Sequence, residues 1–148
     1  MPVNPDLVGR SFPPTAPYLV GREKVREFAR AISAEAPVHT DVEAARALGY
    51  ADVVAPPTFG IVLQDLTLQQ LLAEPDSGIE LHRLVHAEQR FRSSRPIVAG
   101  DELTAVLTVV GIRGVGGNAM VTSEAEITDA AGEHVVTATS VLLVGEGA

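Results

Sequence analysis

Cysteine and tryptophan are both absent from this 148-residue sequence, and aromatic residues make up only 4% of it. Without cysteine the chain can form no disulfide, no thiolate nucleophile and no thiolate ligand for zinc. The four histidines are scattered, and His82 and His86 would stand about 13 Å apart on the strand predicted there, at ~3.3 Å per residue. The sequence therefore predicts no metal site.

Positive charge is also scarce, because 11 basic residues are set against 19 acidic ones and the net charge is -8. That balance disfavours binding to nucleic acid, which requires a positive surface. No apolar run approaches the ~20 residues that span a bilayer, and residues 1–9 lack the segments of a signal peptide. We therefore expect a cytoplasmic protein that binds neither nucleic acid nor membrane.

The glycine-rich phosphate loops of nucleotide-binding proteins are missing as well. Residues 114–117 contain three glycines, but they lie between two predicted strands rather than before a helix. We therefore expect no cofactor. A chain of 148 residues has the length of one domain, which we place over residues 1–148.

The hydrophobic period changes along the chain, and this change predicts the secondary structure. A short strand at residues 18–20 precedes helices at 22–32 and 41–48, and residues 58–72 are apolar on most sides, as in a buried helix. Four strands follow, which we expect to form an antiparallel meander, at residues 79–91, 103–112, 119–128 and 134–144. The pattern predicts an α+β fold in which an antiparallel sheet wraps one long central helix. We expect dimerisation or further packing to protect the exposed parts of the sheet.

The interruption between the first two helices holds a candidate catalytic residue. Pro37 cannot continue a helix, and His39 follows it in a loop supported by the next helix. An imidazole can give or take a proton at neutral pH, and Glu35 and Asp41 are acids close by in the sequence. A lone histidine in such a loop can equally be a surface residue.

Four sequence motifs carry a resemblance to a known family. Residues 34–39 read AEAPVH, residues 90–103 read RFRSSRPIVAGDEL, and residues 21–24 and 55–59 read GREK and APPTF. Over nearly its whole length the chain resembles the MaoC-like hydratase/dehydratase branch of the hot-dog superfamily, which carries Asp-x-Asn-Pro-x-His and Arg-Phe, Pro-Val, Gly-Asp motifs. It is most similar to an actinobacterial subgroup that includes the substrate-holding subunits of heterodimeric (3R)-hydroxyacyl-carrier dehydratases.

The resemblance implies a hot-dog fold and a reaction that adds water to an enoyl thioester or removes it in reverse. His39 matches the family's catalytic histidine, whereas Ala34 replaces its aspartate and can neither accept a proton nor orient water. Glu35 is adjacent, but neighbouring side chains on an extended loop point in different directions. Loss of one member of an acid–base pair lowers the reaction rate about 10²–10⁴-fold, so we expect little activity from this chain alone.

The start of the long helix is the site that the resemblance implies for the thioester carbonyl. In the family a glycine N–H binds the carbonyl oxygen there, whereas Pro57 occupies this place and has no N–H. The N–H groups of Thr58, Phe59 and Gly60 remain as candidates. Pro57 can equally be a favourable first-turn proline.

Four of the 11 basic residues lie within a short stretch of the sequence: Arg83, Arg90, Arg92 and Arg95. Such a cluster is either a solvated strand face or a positive patch for an acidic or phosphorylated carrier. We predict that Arg90 and Arg92 contact the substrate, an acyl-CoA or acyl-carrier-protein thioester.

Three other functions stay open at this point. The chain could be a self-sufficient homodimeric hydratase in which His39 works with Glu35 or Asp41, rather than half of a heterodimer. It could be a hot-dog thioesterase, for which Asp65 is the single acid on the long helix. It could also bind acyl thioesters without turning them over.

Overall fold

The computed structural model describes residues 2–145 and contains three α-helices and five strands. The helices are α1 (Arg22–Ala31), α2 (Val42–Ala47) and α3 (Gly60–Ala73). The strands are β1 (Tyr18–Leu19), β2 (Leu84–Ser93), β3 (Glu102–Val115), β4 (Asn118–Thr128) and β5 (His134–Gly145). Single turns of 3-10 helix lie at Pro5–Leu7, Pro37–His39 and Leu81–Arg83.

The first two helices form where the sequence predicts them. Val25 and Ala29 form the buried face of α1, and the charged residues of this helix lie on its other face. The side chain of Asp41 accepts a hydrogen bond from the N–H of Glu43 (3.0 Å) and so caps α2. Gly49 then takes a φ of +94°, which ends this helix. The segment between the two helices is thereby held at both ends.

Helix α3 is the long central helix expected from the apolar stretch, although it begins at Gly60 rather than at Thr58. Leu63 and Leu71 on its inner side are fully buried, and the helix contacts β3, β4 and β5. Thr58 and Phe59 form the turn that leads into it. The predicted α+β architecture, an antiparallel sheet around one long helix, is confirmed.

The predicted four-strand meander is wrong in one connection. The sheet order is β1-β3-β4-β5-β2, so β2 pairs with β5, with Phe91 opposite Ala138, and not with β3. The chain between β2 and β3 therefore crosses from one edge of the sheet toward the other. Hydrophobic alternation indicates that a strand exists but not which strand it pairs with, so the sequence pattern could not reveal this crossover.

The predicted strand at residues 79–91 also starts too early. Leu81–Arg83 forms a 3-10 turn and β2 begins at Leu84, so His82 does not share a strand with His86. Along β4 the burial alternates, with Val121, Ala125 and Ile127 buried under α3. The alternate residues of β4 face away from the helix. Among the residues 2–145, no helix is long and apolar enough to cross a membrane.

Candidate functional site

His39 stands at the end of the 3-10 turn Pro37–His39, with its ring half-buried. Its Nδ1 atom lies 2.6 Å from the carbonyl oxygen of Val54. A carbonyl oxygen can only accept a hydrogen bond, so Nδ1 carries the proton in the neutral ring. The Nε2 atom is then unprotonated and can act as a base.

A cavity of about 390 Å³ lies beside this imidazole. Its wall brings together three parts of the chain, namely the His39 turn, the approach to α3, and the crossover after β2. The wall includes His39, Val54, Pro57, Ser94, Arg95 and Val136. The cavity therefore reaches from the predicted catalytic histidine to Pro57, directly before the candidate N–H donors of residues 58–60.

Glu35 and Ala34 line a different hollow, of about 350 Å³, together with residues of α1. Glu35 is exposed and makes no ion pair within the described part of the chain, and His39 does not line this hollow. The structure therefore does not bring Glu35 and His39 together at one cavity. Ala34 offers no proton-transfer group of its own.

The three candidate N–H donors at the start of α3 differ in availability. The N–H of Phe59 already donates to the carbonyl oxygen of Pro56 (2.9 Å), and its buried ring packs edge-on against Phe28. The N–H groups of Thr58 and Gly60 donate to no acceptor within residues 2–145. These two groups, at the positive end of the helix dipole, are free for a carbonyl oxygen.

The arginine cluster divides into two structural and two exposed members. Arg95 binds Asp101 (2.8 Å) and Asp129 (3.2 Å), and these carboxylates raise the pKa of its guanidinium. Arg83 pairs with Glu80 at 3.7 Å. Both therefore tie loops together, and the continuous positive patch that the sequence suggested is reduced to two residues.

Arg90 and Arg92 lie on the outer face of the sheet. Phe91, between them, points inward, because a Cβ on Gly60 would lie 3.4 Å from its ring. The two arginines line a shallow depression of about 220 Å³ with Glu124, Thr137 and Thr139. Arg92 forms no ion pair in the stretch that the structure describes. These residues do not line the His39 cavity, so any contact with substrate would be with a part that extends outside it.

Asp65 is separated from His39 too. It borders a second cavity, of about 120 Å³, between α3 and the sheet, together with His86 and the buried pair Ser123 and Ser140. The hydroxyl groups of that serine pair lie 3.0 Å apart. Among the described residues, no cluster of three histidine or acidic side chains could hold a metal ion.

One feature of the His39 cavity has no counterpart in the sequence-based expectations. The hydroxyl group of Ser94 is hydrogen-bonded to the Nδ1 atom of His134. These residues are 40 positions apart, and no motif joins them. Only the pairing of β2 with β5, which the sequence did not reveal, brings them together.

Comparisons with known proteins agree with the fold. Residues 6–138 match the model of the "FAS1-like, dehydratase domain region" family. A UPF0336 protein of Clavibacter michiganensis subsp. michiganensis is 65% identical over 97% of both chains. The C-terminally truncated HadBC (3R-hydroxyacyl-ACP dehydratase) complex of Mycobacterium tuberculosis contains a chain with 34% identity and a TM-score of 0.84, covering 93% of this chain and 97% of that one. A MaoC-like dehydratase is 39% identical with a TM-score of 0.82, covering 93% of this chain and 42% of the longer one.

Proposed function

The chain belongs to the FAS1-like dehydratase domain region family, and we propose that it is the acyl-binding subunit of a (3R)-hydroxyacyl-thioester dehydratase or enoyl-thioester hydratase. Its hot-dog fold and its likeness to MaoC-like dehydratases, both expected from the sequence, are confirmed. An incomplete acid–base pair carries the proposal. His39 lines the cavity at the start of α3, whereas Ala34 stands where the family has its aspartate.

Dehydration of a 3-hydroxyacyl thioester requires two coupled proton transfers. A base takes a proton from C2, and the hydroxyl group on C3 leaves with a proton as water. The unprotonated Nε2 atom of His39 can serve one of these transfers. Glu35, in its separate hollow, does not supply the other. The chain alone therefore holds half of the machinery.

Binding of the thioester is the part of the reaction for which this chain is equipped. The free N–H groups of Thr58 and Gly60 are suited to the carbonyl oxygen, which becomes more negative when C2 loses its proton. Val136, which lies next to Gly60, belongs to the largely apolar wall of the cavity, and such a wall suits an acyl chain. A CoA or acyl-carrier-protein thioester would leave its phosphate-bearing arm outside the cavity, near Arg90 and Arg92.

A second hot-dog chain is the proposed source of a complete acid–base pair, which would act on the acyl chain that this subunit binds. The HadBC relative is a dehydratase complex, which supports a heterodimer for this chain. Strand β2 lies at one edge of the sheet, so one side of its ten-residue backbone is available for pairing with a partner. We place the assembly in the cytoplasm, with residues 1–148 of this subunit forming one domain.

Hydration of a trans-2-enoyl-CoA, followed by loss of the enoyl absorbance, tests the proposal. Three samples are assayed. They are this chain alone, a MaoC-like subunit from the same genome that retains the aspartate and histidine, and a mixture of the two. We expect little activity from this chain alone and a gain in rate or in acyl-length range on mixing. A mixture that performs no better than the intact subunit alone would overturn the proposed role.

A self-sufficient homodimeric hydratase is the second candidate. It is favoured by the orientation of His39, whose base nitrogen is left free by the Val54 carbonyl. In the same assay it would give full activity without any partner. The two candidates therefore predict opposite results from one set of measurements.

A further inference from the structure

Ser94 follows the last residue of β2 and lines the same cavity as His39. Its backbone N–H donates to the carbonyl oxygen of Val135 (2.8 Å), and the next residue, Arg95, is ion-paired with two carboxylates. The Ser94 hydroxyl group is therefore held on a fixed stretch of backbone. Its partner is the Nδ1 atom of His134 on β5.

The direction of every hydrogen bond behind Ser94 follows from the groups involved. Thr137 Oγ1 lies 2.6 Å from a carboxylate oxygen of Glu126, which can only accept, so the threonine donates its proton there. The same Thr137 oxygen lies 2.8 Å from His134 Nε2 and has no second proton, so Nε2 must donate to it. The neutral ring then has an unprotonated Nδ1, which accepts the proton of Ser94.

This arrangement meets the geometric requirement for an activated nucleophile, in which a hydroxyl group contacts a base that a third group orients. Thr137, which is itself hydrogen-bonded to Glu126, orients the imidazole. A donor for the developing oxyanion is also present. The N–H of Arg95, directly after Ser94, donates to no acceptor in the part of the chain that the structure describes.

We propose that Ser94 is the nucleophile, and His134 the base, of an acyl-transfer site that hydrolyses thioesters and activated oxygen esters. The Ser94 oxygen attacks the carbonyl carbon while its proton passes to His134 Nδ1. The C–S bond then breaks, and the departing thiolate takes that proton and leaves as a thiol. Water hydrolyses the acyl-serine ester in the second half, giving the carboxylic acid and regenerating Ser94.

This activity is separate from the proposed dehydratase role. It uses neither the position of Ala34 nor a partner subunit, and it breaks the C–S bond rather than the C3–O bond. A thioesterase was one of the functions left open by the sequence, with Asp65 as its acid. The structure puts Asp65 at the other cavity, so Ser94 and His134 are the residues that geometry favours for such a reaction.

Covalent labelling of the full chain tests the proposal directly. The protein is treated with a fluorophosphonate, and the modified residue is identified by peptide mass spectrometry. Hydrolysis of p-nitrophenyl butyrate and release of thiol from butyryl-CoA are measured in parallel. We expect labelling at Ser94 and a fall in both hydrolytic rates of at least about 100-fold in Ser94→Ala and His134→Gln. Ser11→Ala is the matched control, because this exposed serine contacts the Thr108 hydroxyl group and no imidazole.

A second readout does not depend on turnover. The chain has no cysteine, so Ser94→Cys carries a single thiol, and so does the control Ser11→Cys. A thiol that can lose its proton to an imidazole is alkylated faster at neutral pH. We expect iodoacetamide to react at least about 10-fold faster with Ser94→Cys than with Ser11→Cys, and this excess to disappear when His134→Gln is added.

The outcomes separate this inference from the proposed function. Labelling at Ser94 that requires His134 supports the acyl-transfer site, whatever the enoyl hydration assay shows. The acyl-transfer proposal is overturned if Ser94 is not labelled. It is also overturned if His134→Gln has wild-type thermal stability and leaves both the labelling and the alkylation unchanged.

Discussion

His39 and His134 hold their ring protons on opposite nitrogen atoms. The carbonyl oxygen of Val54 accepts from Nδ1 of His39 (2.6 Å), and Thr137 accepts from Nε2 of His134 (2.8 Å). Each ring therefore has one unprotonated nitrogen. That of His39 is Nε2, and that of His134 is bonded to the Ser94 hydroxyl group.

These opposite tautomers predict a measurable difference in the side-chain nitrogen resonances. At alkaline pH, where imidazoles are neutral, we expect ¹⁵N NMR to find the proton of His39 on Nδ1 and that of His134 on Nε2. His82 is the internal control, since the Nε2 atom of its exposed ring lies 3.4 Å from the Glu80 carboxylate and should carry the proton. An Nε2–H form for His39 would contradict the tautomer inferred from its contact with the Val54 carbonyl.

The two exposed arginines predict a dependence on the phosphate groups of the substrate. Double substitution Arg90→Gln and Arg92→Gln should raise the KM of the mixed subunits for an enoyl-CoA several-fold and leave kcat unchanged, because these side chains lie outside the His39 cavity. The same acyl group on pantetheine, which has no phosphate, should show no change. Arg113→Gln is the matched control, as this residue is an exposed arginine on β3. Equal effects on both thioesters would refute a phosphate contact.

The ion pairs of Arg95 lead to predictions about the free energy of unfolding and its dependence on pH. Arg95→Gln removes the ion pairs to Asp101 and Asp129 and should lower the free energy of unfolding by roughly 1–2 kcal/mol at neutral pH, since its side chain is partly exposed. The N–H of Glu133 and the Arg95 guanidinium hold the pKa of Asp129 below its ordinary value. The stability from this carboxylate is therefore present above pH ~4 and is lost as the pH falls through the lowered pKa.

Urea unfolding between pH 7 and pH 2 checks this account. Asp129→Asn should be less stable than the wild type at neutral pH, and the difference should shrink in acid. Asp76→Asn serves as the control, because Asp76 is exposed and forms no ion pair within residues 2–145. A constant difference between wild type and Asp129→Asn at all pH values would show that the carboxylate charge is not involved.

A pair of glycines tests how the N-terminal segment is attached. Gly78 has a φ of +71°, and a Cβ added to it would lie 2.0 Å from the carbonyl oxygen of Pro2. Gly132 has a φ of +79° with open space around it. Gly132→Ala should cost about 1–2 kcal/mol from backbone strain alone, and Gly78→Ala a further ~1–3 kcal/mol from crowding. Thermal unfolding of the two variants measures this difference, and equal losses would contradict the close approach of Pro2.

The sequence predicts the helices of this fold well because their signals are local. Asp41 as a cap, Gly49 as a stop and the apolar run of α3 each act within a few residues, and the structure retains all three. The neighbour of β2 could not be predicted in this way. Pairing with β5 rather than β3 depends on contacts between residues such as Phe91 and Ala138, far apart along the chain.

In the candidate site, too, local features could be predicted from the sequence and long-range contacts could not. His39 could be found from its proline-bounded loop and its motif, but the Val54 carbonyl that sets its tautomer is 15 residues away. Glu35 was a candidate because it is close to His39 in sequence, and the structure gives the two residues separate hollows. Ser94 and His134 were missed because their contact exists only through the β2–β5 pairing.

The rate of enoyl-CoA hydration with and without His39 distinguishes an acyl-binding subunit from a self-sufficient hydratase. This chain and its His39→Ala variant are each assayed alone and mixed with the intact MaoC-like subunit, with circular dichroism as a check on folding. We expect background rates for both proteins alone, and rates in the two mixtures that agree within about threefold, because the partner supplies the acid–base pair. Activity of the wild-type chain alone that falls about 10²–10⁴-fold in His39→Ala would contradict this expectation and establish a self-sufficient hydratase.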